Sequence, residues 1–210
     1  MQEKASPAAL FDALASDYET MREEIGWSPY PHVIHAFGEG PFEGQKFLDL
    51  GCGTGEISRF LHERGGEPLG LDISLEMCMQ AADRSPGLPF LPFDMSDPLP
   101  FEDGCYDGVI ALGCLEYLED LPATVAEIHR VLKPGGIFLG VIERCGEDCP
   151  GGVQKVVDFF DEWQRFRMTE REVMEMASPL FADVQLDRVL GYILEETNER
   201  IQYIRIVARR

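Results

Sequence analysis

The segment Phe47-Leu-Asp-Leu-Gly-Cys-Gly-Thr-Gly-Glu-Ile-Ser58 sets an apolar strand directly against three alternate glycines and then an amphipathic helix. Gly51, Gly53 and Gly55 let the backbone turn sharply and come within contact distance of a ligand, where any Cβ would intrude. A tight strand-to-helix turn with nothing bound is one reading of this pattern. A cradle for a nucleotide-like cofactor is the other, and the surrounding sequence decides between them.

Phosphate-binding turns of this kind use the spacing GxGxxG, which aims the amides of a helix N-terminus at a pyrophosphate. Here the spacing is GxGxG, and Asp49 precedes it. A carboxylate at that position repels a pyrophosphate and favours a cationic centre such as a sulfonium or an ammonium group. The loop therefore suits S-adenosylmethionine (SAM). About twenty residues on, Glu67-Pro-Leu-Gly-Leu-Asp72 reads as a second strand ending in an acid, the place where a carboxylate accepts hydrogen bonds from ribose hydroxyls. Asp72 can equally cap the helix that begins near Ser74 or Leu75, and the two roles are compatible.

With these residues in hand the chain resembles the class I SAM-dependent methyltransferases, in particular the small-molecule and quinone-type members of ubiquinone and menaquinone biosynthesis. The likeness runs from about Phe11 to Ile142 in ordered blocks. Phe11 to Tyr18 resembles the entry segment, Phe47 to Ser58 the cofactor loop, and Leu69 to Ala82 the acidic strand end with its helix. Phe90 to Asp103 resembles the adenine-side loop, and Tyr106 to Leu112 with Glu127 to Gly136 resembles the fourth strand and the helix before the fifth. The resemblance implies an α/β, Rossmann-like fold: a seven-stranded, mostly parallel sheet with one antiparallel strand and helices on both faces. It implies that Asp94 accepts the adenine amino group while Met95 packs nearby. The residues alone leave Asp94 equally a turn residue before Ser-Asp-Pro.

The whole chain reads as one domain, residues 1–210, with 1–44 as an N-terminal helical cap and 145–178 as a loop plus helices near the substrate mouth. A length of 210 residues suits one well-buried core. Strands are expected at Lys46 to Leu50, Pro68 to Leu71, Leu88 to Leu91, Tyr106 to Leu112 and Gly136 to Ile142, alternating with helices at Gly55 to Arg64, Leu75 to Arg84 and Leu121 to Val131. Lys133-Pro-Gly-Gly136 should stop the last helix. Beyond it, Val153 to Trp163 and Thr169 to Ala177 read as helices, the second with a capping box between Thr169 and Glu172. Phe181 to Leu190 and Ile201 to Ala208 read as antiparallel strands.

Composition narrows the partners. With 38 Asp plus Glu against 18 Lys plus Arg, the net charge is −20, a field that repels polyanions and argues against nucleic acid. The one basic cluster, Arg205 to Arg210, reads as charge flanking an exposed strand edge. No apolar run approaches the ~18 residues of a membrane span, and the N-terminus lacks a secretion-signal pattern, so a cytoplasmic protein away from membranes is expected. Of the six cysteines, Cys52, Cys78, Cys105 and Cys114 fall in separate elements, and Cys145 and Cys149 are expected as free thiols of one loop. No metal is expected, since a CxxxC needs further ligands that no nearby histidine supplies.

Ligands in open parallel sheets sit beyond the C-terminal strand ends. The candidate cofactor contacts are therefore Asp49, Gly51, Cys52, Gly53 and Gly55 after the first strand, Asp72 and Ile73 after the second, Asp94 and Met95 after the third, and Leu112 after the fourth, joined by Tyr18 from the entry segment. After Leu112 comes Gly113-Cys114, without the Asn/Asp-Pro-Pro-aromatic tetrad of adenine and glutamine methyltransferases. Glu116-Tyr117 stands where many small-molecule relatives carry Glu-His. Tyr18, Tyr30, His32, His35, Glu116 and Tyr117 are the conceivable bases, none of them singled out. His32 and His35 are read as surface residues of a cap helix. Trp27, Tyr30 and Phe37 either wall an acceptor or pack that helix. Glu143, Glu147 and Asp148 would disfavour an anionic acceptor. The expected activity is in-line methyl transfer to a neutral or cationic small molecule. A SAM-binding regulatory partner without turnover and an NAD-dependent oxidoreductase stand as alternatives, and the oligomeric state is open.

Overall fold

The computed structural model describes residues 6–146, 154–157, 164–194 and 199–210. Three helices, α1 (Pro7–Leu14), α2 (Tyr18–Glu24) and α3 (Tyr30–Phe37), precede the first strand. Then come β1 (Lys46–Leu50), α4 (Glu56–His62), β2 (Glu67–Asp72), α5 (Leu75–Arg84), β3 (Phe90–Pro92) and β4 (Tyr106–Leu112). A 3-10 turn at Leu115–Tyr117 leads to α6 (Leu121–Val131) and β5 (Leu132–Glu143). The chain ends through β6 (Gln154–Val157), β7 (Gln164–Arg167), α7 (Glu170–Ala177), β8 (Asp183–Leu194) and β9 (Glu199–Arg209).

Seven strands form one sheet in the order β3-β2-β1-β4-β5-β9-β8. β1 pairs parallel with β2 and β4, setting Leu48 opposite Leu69 on one side and Val109 on the other. β9 runs antiparallel to both β5 and β8, so it is the one reversed strand. The order reverses between β1 and β4, and the crevice beyond their C-terminal ends is where a ligand sits in such sheets.

Burial explains why the central strands read as unbroken apolar runs. Successive side chains point to opposite faces, and both faces are covered. Leu48, Leu50, Val109 and Phe138 pack with Val125 and Ile128 of α6 and Val173 of α7. Phe47, Ile110 and Leu139 pack on the other face with Val33 of α3 and Phe60 and Leu61 of α4. Strand pleat thus assigns neighbours such as Phe47 and Leu48 to different cores.

The expected α/β architecture and its main boundaries agree with the structure, with instructive departures. Gly55, at φ +80°, is the left-handed cap before α4 rather than its first residue. The helix expected over Val153 to Trp163 is absent at Gln154–Val157, where the chain is a strand paired with Gln164–Arg167, and residues 158–163 lie outside the described residues. In β7, Arg165 and Arg167 both reach Glu143, the period of two that a strand imposes. The capping box at Thr169 is present.

The basic cluster does not flank an edge, because β9 lies inside the sheet and β8 is the edge strand. Arg205 pairs with Asp187 at 2.7 Å, and Arg209 donates to the Gly135 carbonyl at 3.0 Å. Cys145 is disulfide-bonded rather than a free thiol, while Cys149 lies outside the described residues. Among the described residues no helix is long and apolar enough to cross a membrane.

Candidate functional site

The glycine loop is built by its ties to β2. Gly51 and Cys52 donate their N–H groups to the Leu71 carbonyl at 2.8 and 3.0 Å, and Gly53 donates to Asp72 Oδ2 at 2.8 Å. The other Asp72 oxygen accepts from Ser74 N–H at 2.9 Å. A single carboxylate, 7% exposed, thus fastens the loop to the start of α5. Burial raises its pKa, against the backbone hydrogen bonds from Ser74 and Gly53.

Glycine is required at the loop for two different reasons. Gly51 has φ +67°, and a Cβ there would lie 2.6 Å from Cys114 Cβ. At Gly53 the φ is +51°, and a Cβ would meet only Tyr18 Cε1, at 3.6 Å, across the space between loop and cap. Gly55 packs against Phe90 and Ala81 on the side away from that space, so its role is to let α4 and α5 approach.

Asp49 is 4% exposed and accepts a hydrogen bond from Ser58 Oγ at 2.7 Å. Burial pushes its carboxyl from 3.8 up to about 7, opposed by the Ser58 hydrogen bonds and aided by the Asp72 charge. It lies in a cleft behind the loop with Arg22, Trp27, Cys52, Thr54 and Leu112.

Polar contacts hold the N-terminal helices over the loop, for neither α1 nor α2 buries a residue fully. Ser74 Oγ donates to Asp12 at 2.6 Å. Thr54 Oγ1 and Arg84 both donate to Glu19, each at 2.8 Å, and Arg22 pairs with Glu56.

Two cavities result. The first, about 90 Å³, is lined by Tyr18, Gly51, Gly53, Asp72, Ile73, Asp94 and Met95 of the expected set, together with Phe11, Met77, Ser96, Gly113, Cys114 and Tyr117. Within it Asp94 Oδ1 accepts from Ser96 N–H at 2.9 Å, the turn geometry that its sequence also suggested. The second, about 340 Å³, is predominantly apolar and shares Phe11, Tyr18, Gly113 and Tyr117 with the first. Its further walls are Met21, Ile25, Trp27, Leu112 and Glu116, with Arg165, Tyr192 and Tyr203 from β7, β8 and β9. Asp49, Cys52 and Leu112 border the rear cleft instead of the first cavity, and Gly55 lines neither.

Sequence reasoning missed Arg165, Tyr192 and Tyr203, which no local motif marks. The segment Leu112 to Tyr117 after the fourth strand was expected to border both cofactor and acceptor, and Gly113 and Tyr117 do line both cavities, Gly113 at φ +73° with open space where a Cβ would stand. The histidines divide. His32 is buried against Trp27 rather than at the surface, with ring centroids 6.0 Å apart, and burial lowers its pKa from 6.5 to about 4. His35 lies 3.5 Å from Asp187. Of the aromatic trio, Trp27 walls the larger cavity, whereas Tyr30 packs on Phe60 and Phe37 on Phe47. Glu143 is spent on Arg165 and Arg167, and Glu147 and Asp148 lie outside the described residues. No group of metal-ligating side chains occurs among the described residues.

A doubly wound sheet whose glycine loop and post-strand acids line one cavity defines a Rossmann-like α/β protein of the nucleotide-cofactor-binding class. Residues 48–140 match the family described as methyltransferase domain. A malonyl-[acyl-carrier protein] O-methyltransferase of Hamiltonella defensa is 31% identical over 139 residues, 65% of this chain and 51% of that protein. A demethylmenaquinone methyltransferase of Symbiobacterium thermophilum is 31% identical over 140 residues, 62% of this chain and 56% of that protein. The chain spans about half the length of these curated relatives. Among solved structures, a Burkholderia thailandensis 1,6-didemethyltoxoflavin-N1-methyltransferase with bound 1,6-didemethyltoxoflavin and S-adenosylhomocysteine superposes with a TM-score of 0.67. It shares 19% identity and the match covers 100% of this chain and 93% of that one, a likeness of fold.

Proposed function

We propose that the chain binds SAM in the smaller cavity and transfers its methyl group to a small-molecule acceptor, neutral or cationic, held in the larger one. The observation that carries this reading is the junction between the cavities, where Phe11, Tyr18, Gly113 and Tyr117 belong to both walls. When bound, SAM supplies an electrophilic methyl group on a sulfonium.

The chain's own residues fit that cofactor. Both Asp72 oxygens accept backbone N–H groups, and the carboxylate keeps acceptor capacity for a ribose hydroxyl. Asp94 and Met95 stand on the same wall, on the side where an adenine would lie. Gly51 and Gly53 keep Cβ atoms out of the approach. Asp49, behind the loop, favours a positive centre when ionised. The apolar wall of the larger cavity excludes water and orients the acceptor; alignment of this kind is worth roughly 7–11 kcal/mol in the best intramolecular models.

Calorimetry with SAM, S-adenosylhomocysteine and NADH tests the cofactor, and preference for NADH overturns the reading. Asp72→Ala is expected to weaken SAM binding by about tenfold or more; unchanged affinity rejects the ribose assignment. Incubation with SAM and metabolite pools should yield S-adenosylhomocysteine together with products heavier by one methylene. Tight SAM binding with no product from broad pools would instead indicate a binding protein.

A further inference from the structure

The edge strand beside the larger cavity is irregular at one residue. β8 and β9 stay in register as far as Leu190 opposite Gln202, but Tyr192 then lies opposite Ile201, so Gly191 is an extra residue with no counterpart in β9. Such a bulge breaks the alternation of faces along the strand that carries it. Val189 lies opposite Tyr203, and Ile201 shares that face two residues away. Tyr192 is thereby turned onto the face of Tyr203, whereas Leu190 and Ile193 point to the other side and are exposed. Strict alternation would have put Tyr192 with Leu190.

The same residue makes room for a ring. Gly191 is not in the left-handed region, so space rather than backbone conformation asks for glycine there. A Cβ on it would lie 2.1 Å from Cε2 and 2.3 Å from Cδ2 of Tyr203. The Tyr203 ring therefore rests against the bare backbone of the bulge, 7% exposed and packed with Val141 and Ile201. Leu112, Val189 and Tyr192 pack on that cluster. Burial first, and then the charge of Glu116, raises the Tyr203 phenol well above its usual 10, so at neutral pH it presents a neutral ring and not a base.

Leu112, Tyr192 and Tyr203 line the larger cavity from the sheet, and Phe11, Met21 and Trp27 line it from the N-terminal cap. We propose that Tyr192 and Tyr203, both set by the Gly191 bulge, are the specificity-determining pair of this cavity and select a flat, unsaturated ring over a saturated one of the same size. Aromatic rings gain from offset or edge contact with another ring beyond the burial of area, and a puckered saturated ring does not reproduce that gain. That the selected ring is the methyl acceptor rests on the methyltransferase reading above.

Ring selectivity tests this without turnover. 2-Naphthol and its saturated counterpart decahydro-2-naphthol are titrated into the full chain by calorimetry, with and without S-adenosylhomocysteine. The naphthol should bind about fivefold or more tighter, and S-adenosylhomocysteine should not displace it. Equal affinity, no binding of the naphthol, or its displacement overturns the proposal in the unaltered protein. Tyr203→Leu should reduce the preference to about twofold or less, and Tyr203→Phe should retain it. A preference that survives the leucine, or that is lost equally with the phenylalanine, overturns the role of the ring. Gly191→Ala keeps both tyrosines but fills the space against Tyr203, and it should lower the preference as Tyr203→Leu does; an undiminished preference overturns the role of the bulge. Tyr192→Leu, at a half-buried position of the edge strand, should lower it as well, which keeps the pair testable if Tyr203→Leu fails to fold; an unchanged preference removes Tyr192 from the pair. Binding of S-adenosylhomocysteine alone is measured in parallel. Its absence defeats the cofactor reading while the ring preference stands or falls by itself.

Discussion

Asp49 makes the stability of this protein depend on pH in an unusual direction. Its carboxyl is buried and pushed from 3.8 to about 7, so between these values the folded chain holds a proton that the unfolded chain has lost. Stability contributed by this group is fully present below about pH 4 and is lost as pH rises through 7. At ~1.4 kcal/mol per pH unit the whole rise amounts to about 4 kcal/mol, and about 2 kcal/mol of it falls between pH 5.5 and 8.

Other groups titrate in that window, notably His32. Burial holds His32 neutral down to about pH 4 and makes stability fall on acidification, the opposite sign. Asp49→Asn isolates the effect, since an amide oxygen can still accept from Ser58 while nothing titrates. Urea unfolding of both proteins from pH 5.5 to 8 gives the difference curve. The variant should gain about 2 kcal/mol on the unaltered protein across that range. A difference independent of pH, or one that shrinks as pH rises, refutes the claim that burial dominates the environment of Asp49.

The same carboxyl links to the cofactor. If a sulfonium near the loop favours ionised Asp49, SAM affinity should rise about tenfold from pH 6 to 8 while that of the uncharged thioether product stays flat, and Asp49→Asn should abolish the difference; parallel profiles for both ligands would contradict it. Gly51→Ala places a Cβ 2.6 Å from Cys114 Cβ, whereas Gly113→Ala, at a similar positive φ, meets nothing within 4 Å. Both pay backbone strain, so Gly51→Ala should be the less stable by about 1–3 kcal/mol in urea unfolding. Equal losses would mean that the contact with Cys114 relaxes.

Much of the sheet is legible in the sequence because β1, β4 and β5 are covered on both faces and so appear as apolar runs between glycine-rich turns. The cavity next to the loop is legible for a related reason. Its residues lie at or just beyond strand ends, Asp72 and Ile73 at the end of β2 and Asp94 and Met95 after β3. The larger cavity is not, because Tyr192 and Tyr203 come from β8 and β9, and Arg165 from β7, in the short stretch between two expected helices. Their place depends on β9 inserting beside β5, a long-range choice of topology that no local period encodes. His32 misled for the opposite reason: a histidine on a short helix looks solvated until the packing of α3 on the sheet buries it.

A net charge of −20 disfavours polyanionic partners, but it cannot locate a site. The direction of the pKa shift separates one acid from another. Glu127 is lowered by its hydrogen bonds to Arg130, and Glu170, despite burial, by Arg144 and Arg188. These are acids tied into structural ion pairs, where water is replaced by a cation. Asp49 and Asp72 move the other way, with burial leading in both, and both stand at the glycine loop. Upward-shifted carboxylates cost stability, and folds keep them chiefly where a ligand or a reaction uses them.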